Sequence, residues 1–398
     1  MPQNDRSGSI KQTTVSKPFI DFSDAATDCG ASCVEAVNKF KGINMLMPNK
    51  PSKPSGTASL GTAAGPRFIV SLLIASAIVA GCSGGGGDAS SVPALPVAQP
   101  ASPPPPPPPP PPASSGNFES QNNIIYGTGL IQNGSANLLL DLYQPNGDCT
   151  ENRPFVIGIH GGGFIGGSKQ DPNWVQNMEA VAERGFAGMS INYRLDGVQP
   201  LVSAEFQPVL DDLIVEANRL GASADEINRL SAVVAAFEDT VAALEWAREN
   251  ADERCLDINR FALWGSSAGA TTALHVAHAL DEYFIDRPEP LVVVDYWGRL
   301  LLDGQVDLNG PPIFILHGTN DQTVDHDEAA VALAMEADAL GLPFTFYSIE
   351  GGPHGFGTVN PDRVSINNDT PLAVTVDFIE DHLLGDDPLY ETQTIIPN

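Results

Sequence analysis

Four short motifs contain the residues of this chain that could perform nucleophilic chemistry. In chain order they are HGGGF at 160–164, GSSAG at 265–269, HGTND at 317–321 and PHGF at 353–356. A glycine-rich turn, a serine, a carboxylate and a histidine can supply an oxyanion hole, a nucleophile, an acid and a base. Any one of these motifs can occur by chance, but the four in this order predict a serine hydrolase of the ester-cleaving kind.

The GSSAG motif predicts a sharp turn between a strand and a helix, with Ser267 raised clear of the sheet as the nucleophile. Gly265 and Gly269 stand two positions before and after it, where a Cβ atom would collide with the turn. The apolar run FALW before the motif and the helical pattern after it provide the strand and the helix that such a turn needs. We therefore expect Ser267, rather than its neighbour Ser266, to attack the substrate.

A serine hydroxyl needs a positioned imidazole that accepts its proton and later passes it to the leaving alcohol. The chain has seven histidines, and His354 is the best candidate because it follows the last predicted strand in the loop GGPHGFG. We expect His275 and His278 on the helix after the nucleophile, as packing or surface residues. Structural roles are sufficient for His317 and His382.

The third member of such a site is a carboxylate that fixes the tautomer of the histidine and stabilises its protonated form. Asp321 follows the predicted strand IFILH by a short loop, at the same sheet edge as Ser267 and His354. Asp325 lies one turn further on, and Asp295 lies within a predicted strand; both are alternatives. Position favours Asp321.

The HGGGF motif follows the apolar stretch FVIGIH, and its glycines allow backbone amides to approach a developing negative charge. We expect the amides of Gly162 and Gly163 to form an oxyanion hole with the amide of Ala268. In isolation the motif could also be a glycine-rich turn without function. A phosphate-binding loop fits less well, because the motif lacks a GKS or GKT ending.

Apolar runs bounded by turn residues alternate with longer helical patterns from residue 122 onward. The runs predicted as strands are 124–131, 137–143, 155–160, 185–193, 261–265, 291–296, 313–317 and 344–349. The first two predict an antiparallel pair, and helical segments separate nearly all of the others. This pattern indicates an α/β fold with a mostly parallel, buried sheet and helices on both of its faces.

The connection after the fourth predicted strand is longer than one crossover helix requires. A first helical pattern ends at Gly221, and Ser223 with Glu226 forms a capping-box pattern that opens a second helix. The stretch 202–220 is therefore a helical insertion. It begins beside the catalytic edge of the sheet, which would allow it to form a lid or a wall of the acyl pocket. The alternative is that it packs on the side of the domain.

At these motifs the chain resembles the α/β-hydrolase superfamily, and within it the carboxylesterases and hormone-sensitive-lipase-like esterases with an HGGG motif. The resemblance covers residues 117 to about 384, with further matching stretches LLLDLYQP, DTVAALEWAREN and INRFALWGSSAG. It implies eight mostly parallel strands, with the second antiparallel. It places the acid after the seventh strand and the histidine after the eighth, where Asp321 and His354 fall, and it implies no metal and no cofactor.

The resemblance also implies the reaction, which is hydrolysis of small-molecule esters with short to medium acyl chains or aromatic groups. One alternative is an acyl-peptidase or amidase of the same fold. Another is a non-catalytic surface binding protein on a hydrolase scaffold, although such proteins usually lose the nucleophile or the base. This chain keeps both residue types at the matching positions.

Cys149 and Cys255 each lie about six residues upstream of a predicted strand. The two strands are neighbours in the sheet order that the resemblance implies. We therefore expect a disulfide between these cysteines, worth ~2 to 4 kcal/mol of stability in an exported protein.

The first 116 residues contain no stretch that could build a core, so residues 117–398 form the single predicted catalytic domain. Residues 1–81 are predicted to be an N-terminal extension and a signal peptide, because the 13-residue apolar run at 68–80 is shorter than the ~20 residues of a membrane span. The depth of this run suggests a translation start at Met45 or Met47. VAGC at 79–82 has the pattern of a bacterial lipobox, which makes Cys82 the expected site of lipid attachment.

Residues 82–116 are predicted to be a disordered Gly/Pro-rich linker. Its ten consecutive prolines would extend ~30 Å as a polyproline II stalk. The net charge of −29 disfavours binding to nucleic acid or to an anionic membrane surface. We expect an exported lipoprotein of the outer membrane or cell surface, which contacts the membrane through its lipid anchor only.

Overall fold

The computed structural model describes residues 117–147, 152–302, 304–356 and 363–397. The predicted segments 1–81 and 82–116, with Cys82, lie outside the described residues, and so does Cys149. Cys255 is disulfide-bonded, while its pairing with Cys149 stays a prediction. Within the described ranges, no helix combines the length and the apolar composition that a membrane crossing requires.

Among the described residues, nine strands form one sheet: β1 Phe118–Ile131, β2 Gly134–Pro145, β3 Arg153–Ile159, β4 Ala187–Ile191, β5 Leu256–Ser266, β6 Val292–Tyr296, β7 Ile313–Gly318, β8 Phe344–Ile349 and β9 Thr392–Ile395. Their order across the sheet is β1-β2-β4-β3-β5-β6-β7-β8-β9. β2 is antiparallel to both of its neighbours, and the remaining pairs are parallel. The predicted α/β sheet with an antiparallel second strand is confirmed.

The sheet has one strand more than the eight that were expected. β9 lies parallel to β8, with Ile349 paired with Ile395. Only the last residue of its sequence TQTI is buried, so the strand lacks the apolar run that marks the others. Backbone pairing at the open edge of β8 holds this strand, and hydrophobic patterning does not detect it.

Seven α-helices accompany the sheet in the described part of the chain: α1 Pro172–Glu183, α2 Gln207–Leu220, α3 Ala224–Glu249, α4 Ala251–Arg254, α5 Ala268–Leu274, α6 Ala332–Leu340 and α7 Pro371–Leu384. A π-helical segment, His275–Ala279, continues α5. The predicted capping box opens α3: the Ser223 hydroxyl accepts the Glu226 amide, and the Glu226 carboxylate accepts the Ser223 amide.

Both faces of the central strands are covered, which explains their continuous apolar sequences. In β3, Phe155, Ile157 and Ile159 belong to the core cluster on one face, whereas Val156 belongs to the cluster on the other. Successive side chains of a strand point to opposite faces, so a strand between two helical layers is apolar at every position. This packing gives the catalytic edge of the sheet a rigid support.

The insertion at 202–220 contains α2, which packs against α3. Val209, Leu210 and Leu213 form its buried face, in the same core cluster as the apolar side of α3. The hydroxyl of Tyr283 donates a hydrogen bond of 3.1 Å to Asp212 on this helix. In this structure the insertion therefore packs on the side of the domain, which was one of the two expected arrangements.

Buried Arg194 ties the entrance of the insertion to the rest of the fold. Its guanidinium donates to the carbonyls of Leu130 and Leu201, each at 2.8 Å. It also pairs with the carboxylates of Asp239 and Glu238 on α3. This one buried side chain thus joins β1, the start of the insertion and α3.

Candidate active site

Ser267 lies in the turn between β5 and α5, in a strained backbone conformation with φ of 54° and ψ of −119°. A positive φ is costly for a residue with a side chain, and such strain is typical of a nucleophile raised above a sheet. The Ser267 amide donates to the carbonyl of Tyr296 at 2.8 Å, which holds the turn against β6.

The two glycines around Ser267 have the packing that the sequence predicts. A Cβ atom on Gly265 would stand 2.2 Å from the carbonyl carbon of Gly269, and a Cβ atom on Gly269 would stand 2.0 Å from the carbonyl oxygen of Ile159. Contacts this short are with backbone atoms that cannot move aside. Glycine is therefore required at both positions for β5, α5 and the end of β3 to approach each other.

His354 follows β8 and places its imidazole over Ser267. Its Nε2 accepts the hydroxyl of Ser267 at 2.9 Å, and its Nδ1–H donates to Asp321 Oδ2 at 2.7 Å. The imidazole is about one quarter exposed, whereas the Asp321 carboxylate is fully buried. The structure thus brings the three predicted catalytic residues into one hydrogen-bonded line.

Asp321 is held as a carboxylate by donors on both of its oxygens. Oδ1 accepts the amides of Thr323 and Val324 at 2.8 and 2.9 Å, and Oδ2 faces His354 and His317. Burial raises the pKa of Asp321, but these donated hydrogen bonds outweigh it and hold the pKa well below its ordinary value. Asp321 is therefore ionised at neutral pH.

The loops that bear the acid and the base are joined directly. The amide of Asn320 donates to the Gly352 carbonyl at 2.9 Å, and the amide of Gly351 donates to the Thr319 hydroxyl at the same distance. A Cβ atom on Gly318 would stand 2.1 Å from the Gly352 carbonyl oxygen. These contacts fix the position of His354 relative to Asp321.

The two alternative acids have other partners. Asp325 accepts the amides of Asp327 and Glu328, each at 2.9 Å, and so caps the helical turn that follows. Asp295 is fully buried in β6 and accepts the amide of Gly298 at 2.7 Å. The hydrogen bond to His354 therefore distinguishes Asp321 from both alternatives.

The HGGG turn lies directly against the nucleophile. A Cβ atom on Gly161 would stand 3.2 Å from the Cβ atom of Ser267. Gly162 and Gly163 have φ angles of 115° and 62°, values that favour glycine. The carbonyl of Gly162 accepts two amides within the turn at 3.1 and 3.0 Å, which gives the turn a fixed shape beside Ser267.

Three amides beside Ser267 are available to a ligand. Among the hydrogen bonds of the described residues, none is donated by the amides of Gly162, Gly163 or Ala268. Ala268 is the first residue of α5, where an amide has no acceptor within its helix. These groups can bind an anion that forms at a carbon bonded to Ser267.

His160 and Tyr193 support the HGGG turn in a way that sequence reasoning missed. Their rings stack with centroids 4.4 Å apart, and the Tyr193 hydroxyl donates to the His160 carbonyl at 2.8 Å. The Nδ1–H of His160 donates to the Gly161 carbonyl at 2.7 Å. Burial lowers the pKa of His160, so its ring is a neutral support at physiological pH.

The remaining histidines have the structural positions that the sequence suggested, with one exception. His275 is buried, donates to the Thr271 carbonyl at 2.7 Å and stacks on Phe237. His278 is also buried, and His382 bonds to the Phe378 carbonyl. The exception is His317, which contacts Asp321 directly.

Trp297 is a second residue that sequence reasoning missed. It follows β6 with a φ of 47°, which is unusual for a large side chain. Its ring meets the imidazole of His354 edge-on, with centroids 6.3 Å apart and an interplanar angle of 69°. Its only sequence signal was the YWG ending of a predicted strand, and an aromatic residue at a strand end is too common to assign a role.

Two family models match the chain within the part that contains the site. One is BD-FAE, over residues 140–215, and the other is described as the alpha/beta hydrolase fold, over residues 231–294. The chain has the α/β-hydrolase fold. The first match includes the HGGG turn and the second includes Ser267, so the fold expected from the motifs is confirmed.

Individual proteins that this chain resembles are distant from it. Phenmedipham hydrolase of Pseudarthrobacter oxydans is 34% identical over 133 residues, which are 33% of this chain but only 21% of that relative. Thermogutta terrifontis esterase 2 phosphoramylated by tabun is 19% identical, with a TM-score of 0.48 and coverage of 69% of this chain and 96% of its own. Esterase B of Lactobacillus rhamnosis is also 19% identical, with a TM-score of 0.45 and coverage of 68% and 90%.

Proposed function

We propose that this α/β-hydrolase is a serine carboxylic-ester hydrolase that acts through an acyl-enzyme on Ser267. The hydrogen-bonded line from Ser267 through His354 to Asp321 is the observation that carries the proposal. A nucleophile, a base and an orienting carboxylate in contact form the arrangement that activates a serine hydroxyl. The name of the relative phenmedipham hydrolase, which matches 33% of this chain, supports a hydrolytic reaction.

The first half of the reaction transfers the acyl group to the serine. Asp321 Oδ2 accepts the Nδ1–H of His354, which leaves Nε2 of that imidazole free to take the Ser267 proton. The serine oxygen attacks the ester carbonyl carbon, and the C=O electron pair moves to the carbonyl oxygen. When the tetrahedral intermediate collapses, the C–O bond to the alcohol breaks, and Nε2–H delivers its proton to the leaving alcohol.

The amides of Gly162, Gly163 and Ala268 are proposed to bind the oxyanion of this intermediate. These amides belong to a turn of fixed shape and to the first residue of α5, so we expect little reorganisation when the charge appears. Loss of one such donor typically costs ~3 kcal/mol of transition-state stabilisation.

The second half releases the acid. A water molecule takes the place of the alcohol, gives its proton to His354 Nε2 and attacks the acyl-enzyme carbonyl. The ionised Asp321 beside Nδ1 stabilises the imidazolium that forms in both halves. When this second tetrahedral intermediate collapses, the C–O bond to Ser267 breaks and Nε2–H returns its proton to the serine oxygen. The products are the free carboxylic acid and the regenerated Ser267 hydroxyl.

The proposed substrates are small-molecule esters with short to medium acyl chains or aromatic groups. A panel of p-nitrophenyl acetate, butyrate, octanoate and palmitate, a feruloyl ester and matched p-nitroanilides tests this range. We expect the shorter or aromatic esters to have the highest kcat/KM and the anilides to react far more slowly. Anilides cleaved faster than esters would favour an amidase, and a folded protein that turns over nothing would favour a binding protein.

We further propose that the protein is exported and anchored through a lipid on Cys82. The apolar run at 68–80 followed by VAGC supports this, as does the absence of acidic residues between 42 and 81 in the sequence. Expression of the full chain in a bacterial host with a palmitate analogue should label it and place it in the membrane fraction. Cys82→Ser should lose both properties, and a variant that keeps the label would contradict the anchor.

A further inference from the structure

His317 is a fully buried histidine at the end of β7 that contacts the acid of the site. Its Nε2 lies 2.9 Å from the carbonyl of Val324 and 3.3 Å from Oδ2 of Asp321. Both neighbours are acceptors, so Nε2 carries a proton and shares it between them. The imidazole thus contacts the carboxylate and also closes the loop 321–324 that bears it.

This contact completes the restraint on Asp321. Oδ1 is fixed by the amides of Thr323 and Val324, while Oδ2 is shared between the N–H groups of His354 and His317. Rotation of the carboxylate would break bonds on both oxygens. Oδ2 also accepts the Nδ1–H group that keeps His354 aligned with Ser267. The N–H group of His317, as the second donor to Oδ2, therefore affects the orientation of the His354 imidazole.

Two further titratable groups face His317. Asp295 of β6 is on the same face of the sheet, because it pairs with Ile315, two residues before His317. Burial raises the pKa of Asp295 to about 6, and its electrostatic interaction with the nearby imidazole of His317 limits that rise. On the other side, the ring of His326 meets His317 edge-on at 5.8 Å and bonds to the Ser348 hydroxyl.

We propose that His317 is a positioning residue for the triad: its Nε2–H holds Asp321 Oδ2 and the loop 321–324 in the orientation that receives His354. This inference rests on the proposed function. It assigns His317 no contact with the substrate, since the imidazole is buried behind the acid.

The loss of this donor should affect the chemical step rather than substrate binding. Without it, Asp321 Oδ2 and the loop 321–324 lose one of their restraints, so the imidazole of His354 is less well aligned with Ser267. In His317→Leu we expect kcat to fall about 10-fold or more with KM little changed.

Two polar variants make the test independent of how well a buried leucine is tolerated. The amide of His317→Gln can place a donor near the position of Nε2, whereas that of His317→Asn is too short and reaches only toward the position of Nδ1. We expect the Gln variant to recover most of kcat and the Asn variant to behave like Leu. His326→Gln is the matched control, because His326 bonds to Ser348 rather than to the triad, and it should leave kcat close to the wild-type value.

The measurement is kcat and KM for p-nitrophenyl butyrate on the full-length protein, with thermal unfolding recorded for each variant. Equal kcat in folded Gln and Asn variants would overturn the positioning role. Ser267→Ala in the same assay separates the two proposals. Persistent activity in that variant overturns the proposed function, whereas Ser267-dependent activity that is indifferent to residue 317 overturns only this inference.

Discussion

Replacing Ser267 by alanine is expected to lower kcat/KM for a short p-nitrophenyl ester by about 10⁴-fold or more. The variant lacks the oxygen that attacks the carbonyl carbon, while the amides proposed to bind the oxyanion stay in place. A small residual rate over water is therefore expected, with little change in KM. We expect the turn to keep its shape in Ser267→Ala, because its close backbone contacts are made at Gly265 and Gly269 rather than by the Ser267 side chain.

Ser266→Ala is the matched control, because it removes the neighbouring hydroxyl of the same motif. Ser266 ends β5 and has a backbone pairing with Tyr296, which alanine preserves. We expect this variant to keep most of the wild-type kcat/KM. Activity that survives in Ser267→Ala but is lost in Ser266→Ala would show that the nucleophile has been wrongly assigned.

Asp321→Asn is expected to lower kcat by roughly 10³- to 10⁴-fold at neutral pH. The amide can turn its NH₂ group toward His354, which would favour the tautomer with the proton on Nε2 and remove the acceptor for Ser267. The negative charge that stabilises the imidazolium is lost as well. Because the pKa of Asp321 is held far below neutrality, the effect should be present across the whole range from pH 5 to 9.

Asp325→Asn tests the alternative acid with the same chemical change. Asp325 caps the helical turn after the acid loop, and asparagine is also a good capping residue. We therefore expect wild-type kcat within about threefold and a stability change below about 1 kcal/mol. Steady-state kinetics on both variants decide the point, and a larger loss in Asp325→Asn than in Asp321→Asn would refute the assignment of the acid.

The positions of Ser267, His354 and Asp321 could be predicted because each depends on local chain geometry. The elbow needs glycines at 265 and 269, and the parallel strands β5, β7 and β8 bring their carboxyl ends to one sheet edge. Residue type and strand order then determine which side chains meet. The capping box at Ser223 was predictable for the same reason, since its partners are three residues apart.

Features that depend on contacts between distant residues could not be predicted. The helical pattern before Gly221 predicted the helix α2, but it did not identify α3 as the partner of its buried face. The short strand β9 is held by pairing with β8 rather than by its own composition. The contact of His317 with Asp321 depends on the fold of the loop between them, which the spacing HGTND alone does not determine.

The most direct measurement is the site at which a fluorophosphonate probe attaches to the full-length protein. Such a probe reacts with an activated serine and stays on it, so digestion and mass spectrometry identify the residue. We expect one adduct per chain on Ser267, its loss in Ser267→Ala and much slower labelling in His354→Ala. An adduct on another residue, or full ester hydrolysis by a protein whose Ser267 is never modified, would contradict the proposed acyl-enzyme mechanism.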